Sequence, residues 1–247
     1  MATAPIWAWM HGRFRPLPRA PRCQWCGAPF AGPLAVLFRA VGMGPFPKNP
    51  RFCGGCFGNF DRRRGGAEIP CSALFADVRG STPLAERLGP AALHDVMDRF
   101  YRAGVDALVQ GGALVDRFLG DEVVGYFVPG FAGPRHARAA IDSALALLRA
   151  TGNLAGETPW IPVGAGVHTG TAFVGNLSAG TELATFTALG EDVNVAARLA
   201  AQAGAGEVVV SEAAYAAAGL NAGAERRELR LKGVSEPVAV RVLRPPP

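Results

Sequence analysis

Lysine is scarce in this chain of 247 residues, and acidic side chains are nearly missing from its first part. Only Lys48 and Lys232 stand among 25 basic residues, so a lysine indicates a position that needs a compact ammonium. Residues 1–66 hold ten basic residues and one acid, a charge of +9, whereas residues 67–247 hold fifteen and nineteen, a charge of −4. The basic character therefore belongs to the front segment, as a solvated leader or a surface for an anionic partner.

The sequence also has no long apolar run, and its first residues do not predict a secretory signal. Residues 34–46 come nearest to a membrane span of about 20 residues, but Arg39 interrupts them and Pro45 and Pro47 follow. The apolar start at residues 6–10 precedes basic residues, the reverse of the order in a signal peptide. With 49% hydrophobic and 18% charged residues, the composition predicts a packed, ordered protein. We expect a cytoplasmic protein without a membrane span.

Four of the five cysteines form two C-x-x-C pairs, Cys23 with Cys26 and Cys53 with Cys56. Each pair forms a turn that directs both sulfurs at one ion, so the spacing predicts a structural four-thiolate zinc site. A metal would also supply the folding free energy that so small a segment lacks. An iron–sulfur cluster or a redox role is the alternative for the same residues.

The pattern changes after Gly65-Gly66, which predicts a domain boundary between residues 1–66 and 67–247. The predicted elements are strands at 69–76, 113–119, 122–128, 161–168, 171–177, 206–211, 225–232 and 238–243, and helices at 83–88, 90–110, 135–150 and 192–201, with a short Ala-rich helix before the strand at 225–232. A turn through Thr169-Gly170 would separate the fourth and fifth strands. The order β-α-β-β-α-β predicts an α+β domain, a ferredoxin-like sheet with helices packed on it.

Asp77 marks the end of the first predicted strand, and the chain then turns through Gly80 into Ser81-Thr82-Pro83. A hydroxyl residue before proline predicts a helix start that the side chain caps. An acid followed by a helix N-terminus suits a phosphate and its metal. In the predicted topology Asp121, at the hairpin tip, lies beside Asp77, and two such carboxylates can bridge two divalent cations about 3.5–4 Å apart.

Five motifs in residues 69–243 resemble, in the same order, the signatures of class III nucleotidyl cyclases, the adenylate and guanylate cyclases. Such an ordered set is far more specific than any one of its members. The motifs are Phe75-Ala76-Asp77-Val78-Arg79-Gly80-Ser81-Thr82, Gly120-Asp121-Glu122-Val123, Gly166-Val167-His168-Thr169-Gly170, Val193-Asn194-Val195-Ala196-Ala197-Arg198-Leu199 and Leu231-Lys232-Gly233.

The resemblance implies a role for each matching position. Asp77, Asp121 and the carbonyl of Val78 would bind two Mg²⁺ or Mn²⁺ ions per active site. Asn194 and Arg198, one helical turn apart, would position the ribose and stabilise the α-phosphoryl transition state. The implied substrate-binding residues are Gly80, Ser81 and Thr82 on the β- and γ-phosphates, Lys232 on a phosphate, and Arg117 and Thr187 at the base.

The same resemblance implies that the ribose 3′-hydroxyl of ATP attacks the α-phosphorus, which yields 3′,5′-cyclic AMP and pyrophosphate. The family forms its sites between two catalytic domains, so a chain with one domain implies a homodimer. Adenylate cyclases usually have Lys at the position of Arg117 and many have Asp at Thr187. Guanylate cyclases usually have Glu and Cys there, so ATP is favoured. Residues 171–190 hold no arginine, although some members place a phosphate-binding one there.

Other functions stay open at this stage. The chain could be a guanylate cyclase, or a catalytically silent homologue that binds nucleotide and regulates. The basic segment with its aromatic residues could bind nucleic acid, which we favour less, or an unknown regulatory partner. A diguanylate cyclase has a similar fold, but Gly120-Asp121-Glu122 lacks the paired glycine and the following phenylalanine of its signature.

Overall fold

A computed structural model describes residues 21–23, 26–46, 49–56, 66–179, 183–221, 223–233 and 236–246. The chain divides into two compact units, one formed by residues 1–66 with 175–186 and the other by residues 67–174 with 187–247. The predicted domain boundary between residues 66 and 67 stays a prediction. In the part of the chain that is described, no helix is both long enough and apolar enough to cross a membrane.

The first unit is built from short elements around the cysteines. Helix α1 (Pro33–Ala40) begins with a proline in its first turn, where the missing N–H costs nothing. Strands β1 (Pro45–Phe46) and β2 (Asn49–Cys53) pair antiparallel, and β2 ends on a cysteine. An isolated bridge between Arg22 and Pro29 closes the loop that carries the first cysteine pair.

The remaining elements contain the predicted catalytic motifs. In chain order they are β3 (Gly66–Val78), α2 (Ser81–Gln110), β4 (Leu114–Leu119), β5 (Glu122–Phe127), α3 (Pro129–Ala132), α4 (His136–Ala150), β6 (Val163–Ala179), β7 (Leu183–Leu189), α5 (Glu191–Gln202), β8 (Val208–Ser211), α6 (Glu212–Ala217), β9 (Glu225–Leu229) and β10 (Val238–Leu243). Among the described residues these strands form one sheet in the order β4-β5-β3-β6-β8-β10-β9, and β7 pairs with β6.

The four strands of the predicted β-α-β-β-α-β unit are neighbours in this sheet, in the order β4-β5-β3-β6. Strands β3 and β5 are antiparallel, as are β4 and β5, whereas β6 and β8 are parallel. The apolar faces of α2 and α4 bury Phe100, Leu108, Leu147 and Leu148 in the same hydrophobic core as Leu74 of β3. The predicted α+β, ferredoxin-like fold with helices packed on the sheet is therefore confirmed.

Three local predictions were wrong or incomplete. The two strands predicted at 161–168 and 171–177 are one continuous strand, β6, which passes through Gly170 without a turn. Strand β7 was not predicted. The start of α2 is not capped by a hydroxyl, because Gly80 occupies the N-cap position in the left-handed region (φ 68°, ψ 35°). The predicted break between two helical segments is confirmed, since Gly89 (φ 72°) interrupts α2 before Pro90.

An ion-pair cluster joins the end of the chain to the residues before β8. Arg227 and Arg244 both donate to Glu207, with 2.8 Å between Nη2 of Arg227 and Oε1 of Glu207. The other carboxylate oxygen accepts from the backbone N–H of Gly204 at 3.0 Å. These bonds, led by the one from Arg227, lower the pKa of Glu207 to about 2. Charge-assisted hydrogen bonds of this kind are stronger than neutral ones.

We expect this cluster to make the unfolding free energy depend on acid pH. A carboxylate whose folded-state pKa is depressed stabilises the fold above its unfolded pKa of about 4.3, and the contribution disappears as the pH falls toward the folded value of about 2. Urea unfolding between pH 2 and 6 measures it. Glu207→Gln should flatten this part of the profile at a cost of about 1–3 kcal/mol near neutral pH. An unchanged profile in the variant would contradict the assignment.

Candidate active site

Asp77 and Asp121 lie close together where β3 and β5 run side by side. Asp77 lies opposite Glu122 in the antiparallel register, and the backbone N–H of Val78 donates to the carbonyl of Asp121 at 3.1 Å. Burial raises the pKa of Asp77, and the neighbouring carboxylate of Asp121 raises it further, whereas the Arg79 guanidinium opposes both effects. The structure thus places Asp77 and Asp121 together at the end of β3, as the predicted topology required.

Arg79 supplies the positive charge at this acidic pair. Its guanidinium bonds to Oδ2 of Asp77 and lies 3.3 Å from the carbonyl oxygen of Asp77 and 3.5 Å from that of Ala203. The other carboxylate oxygen, Oδ1 of Asp77, is buried and has no hydrogen-bond partner within the described ranges. A buried carboxylate oxygen without a donor, beside a second carboxylate, fits a hard divalent cation with oxygen ligands. The residues present therefore suit Mg²⁺ or Mn²⁺.

Glu122 is a third acid at this place, and the sequence analysis did not single it out. Burial raises its pKa to about 7, and the charges of Asp77 and Asp121 contribute in the same direction. The strand register explains why the charge of Asp77 affects Glu122, because residues directly opposite on paired strands share a face. The signal was available in the sequence as an acid at the first position of the return strand.

The predicted phosphate loop lies at the start of α2. Gly80 has a positive φ of 68° that other residues rarely adopt, and its carbonyl accepts from the N–H of Leu84 at 3.1 Å. Ser81 is half-buried and Thr82 is exposed. The first N–H groups of a helix have no partner within the helix, so this end suits an anion.

Helix α5 carries a second group of predicted site residues. Asn194 is exposed and Arg198 is half-buried, one turn further along the helix. A Cβ atom built on Gly233 would lie 3.3 Å from Nη2 of Arg198, which places this guanidinium at the turn that holds the exposed Lys232. The structure thus groups Asn194, Arg198 and Lys232. No hydrogen bond or ion pair among the described residues joins this group to Asp77 and Asp121.

Thr187, a predicted base-contacting residue on β7, is only 2% exposed. Its hydroxyl donates to Oδ2 of Asp116 at 3.1 Å, and the Tyr126 hydroxyl donates to the same oxygen at 3.4 Å. Asp116, which is also buried, was missed by the sequence analysis although it immediately precedes Arg117. The side chain of Arg117 lies outside the described part of the structure.

The four cysteines of the first unit form a compact group. All are buried and unbridged, and their sulfurs lie within 4.8 Å of one another. The backbone N–H of Cys53 donates to Sγ of Cys23 at 3.2 Å, and that of Cys56 donates to Sγ of Cys53 at 3.3 Å. Such N–H donors stabilise thiolates, the form that binds metal. The group is able to hold a metal ion.

Paired carboxylates beside a helix start, on a ferredoxin-like sheet, are an arrangement suited to phosphoryl or nucleotidyl chemistry. Residues 68–241 match the family described as the adenylate and guanylate cyclase catalytic domain. This match covers more than half of the chain. The chain belongs to the family of adenylate and guanylate cyclase catalytic domains, and the resemblance inferred from the motifs is confirmed.

Solved structures of two cyclases are similar to this chain. The crystal structure of a guanylyl cyclase superposes with a TM-score of 0.63 and 27% identity, over 72% of this chain and 93% of that one. The crystal structure of the adenylyl cyclase CyaB from P. aeruginosa gives a TM-score of 0.63 and 28% identity, over 72% and 95%. The similar structures therefore include both nucleotide specificities.

Curated relatives from mycobacteria are longer proteins without an assigned function. Uncharacterized protein Rv1318c of Mycobacterium tuberculosis is 33% identical over 180 residues, which are 70% of this chain and 32% of the relative. Uncharacterized protein Mb1354c of Mycobacterium bovis is 35% identical over 136 residues, 55% of this chain and 23% of the relative. The matched region thus spans at most about a third of these relatives.

Proposed function

We propose that this protein is an adenylate cyclase that converts ATP to 3′,5′-cyclic AMP and pyrophosphate as a homodimer. The family membership supports a nucleotidyl cyclase activity. The observation that carries the proposal is the presence, in one chain, of the Asp77–Asp121 pair and of the Asn194, Arg198 and Lys232 group. A homologue that had lost its activity would have no need to keep both.

Asp77, Asp121 and the carbonyl of Val78 are the residues that would hold two Mg²⁺ or Mn²⁺ ions. When bound, such a pair of ions activates the ribose 3′-hydroxyl and neutralises charge on the phosphates. The unpartnered oxygen of Asp77 and the hydrogen bond between Val78 N–H and Asp121 support this assignment.

Each remaining residue has a proposed contact with the nucleotide. The N–H groups at Gly80, Ser81 and Thr82 bind the β- and γ-phosphate oxygens at the helix start. Arg198 donates from its planar guanidinium to the α-phosphoryl oxygens as their negative charge increases in the transition state. Asn194 orients the ribose, and Lys232 binds a phosphate.

The homodimer is proposed because no hydrogen bond or ion pair among the described residues joins Asp77 and Asp121 to Asn194 and Arg198. With Asp77 and Asp121 from one subunit and Asn194 and Arg198 from the other, a two-fold dimer contains two equivalent sites. Cyclases of this family form their sites between two catalytic domains. The resemblance of the motifs therefore implies that two copies of this chain form each site.

Arg117 and Thr187 are the proposed base contacts that favour ATP. The hydroxyl proton of Thr187 is directed at Asp116, so its oxygen is left as an acceptor. The amino group of adenine is a donor at the place where guanine has a carbonyl oxygen. A guanylate cyclase is the second candidate, because a guanylyl cyclase is among the similar structures.

The activity assay that tests the proposal uses the purified full chain with Mn²⁺ and either ATP or GTP. We expect cyclic AMP from ATP, with a higher kcat/KM than for cyclic GMP from GTP. Production of cyclic GMP alone would establish the second candidate. If a folded dimer made neither product, the chain would be a silent nucleotide-binding homologue, for which the lack of arginine in residues 171–190 is the argument.

We further propose that Cys23, Cys26, Cys53 and Cys56 hold a structural Zn²⁺ ion. Four buried sulfurs within 4.8 Å of one another suit tetrahedral coordination. Free thiols and a nucleotide substrate are both typical of the reducing cytoplasm, which is the proposed compartment. A regulatory partner for the basic segment also stays a proposal.

Metal analysis of the purified chain should find about one zinc per subunit at a four-thiolate site. Cys26→Ser should lower this content and make residues 21–56 more sensitive to protease, because metal binding supplies folding free energy. Cys71→Ser is the matched control, since Cys71 is a buried thiol of β3 and should not affect the zinc content. Iron with a visible absorption band would instead identify an iron–sulfur cluster, and absence of both metals would refute the site.

A further inference from the structure

A buried-to-half-buried polar network links β6, α5 and β8, and none of its members has a proposed role in the reaction. His168 of β6 has its Nε2 atom 2.9 Å from Oδ1 of Asp192 and its Nδ1 atom 2.7 Å from Oγ of Ser211. The histidine side chain is 12% exposed. A ring that two different elements contact in this way cannot rotate without breaking a hydrogen bond.

The second carboxylate oxygen of Asp192 is bound to the backbone of the same strand. The N–H of Thr171 donates to Oδ2 of Asp192 at 2.7 Å. A Cβ atom on Gly170 would lie 2.0 Å from that oxygen, so any larger residue would displace the carboxylate. This close approach explains why glycine stands inside a continuous strand, where its usual effect is destabilising. Both oxygens of Asp192 are therefore held by β6.

Ser211 sets the direction of the hydrogen bonds. Its Oγ accepts from the backbone N–H of Ala214 at 3.2 Å as the N-cap of α6. The hydroxyl proton is then available for Nδ1 of His168, and Nε2–H of the ring donates to Asp192. These hydrogen positions are inferred from the bonding partners, because the carboxylate of Asp192 can only accept hydrogen bonds.

Helix α5 depends on this network at its first turn. Its N-cap residue, Gly190, provides no side-chain cap, and Asp192 stands in the first turn, two residues before Asn194. We propose that His168 and Asp192 are a positioning pair that fixes the start of α5 on β6, and so fixes Asn194 and Arg198 in the geometry the reaction needs. This inference rests on the proposed cyclase function for its kinetic consequence.

The positioning role has a distinctive kinetic consequence. Residues that bind the polyphosphate, at Gly80 and its neighbours, lie on another helix and should be unaffected. A displacement of Asn194 and Arg198 by about 1 Å can cost roughly 10²-fold in rate. Loss of the pair should therefore lower kcat and leave KM for the nucleotide nearly unchanged.

The test compares Asp192→Ala with Asp192→Asn in the full-length chain with Mn²⁺ and ATP. We expect Asp192→Ala to lower kcat about 30–100-fold, with KM within about 3-fold of the parent. Asp192→Asn should restore most of kcat. The amide oxygen still accepts from Thr171, and the amide NH₂ donates to Nε2 of His168 once the ring proton moves to Nδ1 and is donated to Ser211. His168→Ala combined with Asp192→Ala should be no worse than Asp192→Ala alone, because coupled residues are not additive.

Hydrogen–deuterium exchange gives a second measurement that does not need activity. Amides of residues 190–202 should exchange faster in Asp192→Ala and at the parent rate in Asp192→Asn. Asp142→Ala is the matched control, because Asp142 pairs with Arg138 within α4 and touches none of these residues. The control should leave both kcat and the exchange of α5 unchanged.

Three results would overturn the inference: an unchanged kcat in Asp192→Ala, an Asn variant as impaired as the Ala variant, or unaltered exchange of α5. Lack of cyclase activity in the parent chain would refute the proposed function but not this inference, since the exchange measurement would still decide it.

Discussion

Replacement of Asp77 by alanine is expected to stop cyclic-nucleotide formation in a chain that remains folded. The variant loses a carboxylate that would hold both divalent cations, and such ions contribute several kcal/mol to transition-state stabilisation, so kcat should fall by about 10³-fold or more. The fold should persist because the Asp77–Arg79 pair is partly exposed, with side chains 29% and 22% accessible, and such pairs contribute little to stability. Activity with Mn²⁺-ATP and the melting temperature measure both effects.

A direct binding measurement separates metal loss from other damage. The Mn²⁺ affinity of Asp77→Ala, followed by electron paramagnetic resonance, should drop together with activity. Asp98→Ala is the matched control, because Asp98 is an exposed acid of α2 that pairs with Arg102. It should keep the affinity and the activity of the parent. An active Asp77→Ala enzyme would show that the metal site is elsewhere.

Mixing two inactive variants is expected to restore activity. Arg198→Ala removes the guanidinium that is proposed to contact the α-phosphoryl group and should lower kcat about 10²–10³-fold, as loss of a transition-state donor does elsewhere. In a heterodimer of Asp77→Ala and Arg198→Ala, one of the two sites receives both intact residues. Random pairing makes half of the dimers heterodimers, so the mixture should recover about a quarter of parental activity.

The mixing experiment needs subunits that can exchange. Co-expression of the two variants, each with a different affinity tag, allows the heterodimer to be purified and assayed directly. A double variant with both substitutions in one chain, mixed with the parent, serves as the control because its heterodimers contain no intact site. If the purified heterodimer of single variants were as inactive as its parents, each site would lie within one subunit.

The sequence was sufficient for the fold and for the grouping of Asp77 with Asp121. Apolar runs and helical periods are local signals, and the β-α-β-β-α-β order leaves few topologies once strands pair with their neighbours. Arg198 and Lys232 were each identified through the family resemblance, and only the structure shows that Arg198 lies at the turn that holds Lys232. The chemistry proposed for these places rests on the resemblance of the ordered motifs to the cyclase family.

The remaining features depend on contacts between residues far apart in the sequence. Gly170 was interpreted as a turn because glycine usually marks one, whereas the structure shows that it makes room for Asp192, twenty-two positions later. Likewise, Arg79 was read as part of a loop motif, and its bond to Asp77 depends on a rotamer that the sequence does not specify. Glu122 could be noticed in the sequence as the first residue of the return strand, but only the strand register shows that it lies opposite Asp77.

The buried pair of Thr187 and Asp116 limits how the nucleotide preference of the proposed cyclase could be redesigned. A single exchange of Thr187 for the cysteine that guanylate cyclases usually have there would replace a hydroxyl donor with a weak thiol donor at an inaccessible carboxylate oxygen. Protein engineers should therefore change the two positions together, with a neutral residue at 116 whenever the donor at 187 is removed. In a library that varies position 187 alone, substitutions that remove the hydroxyl donor would destabilise the fold and be lost during selection.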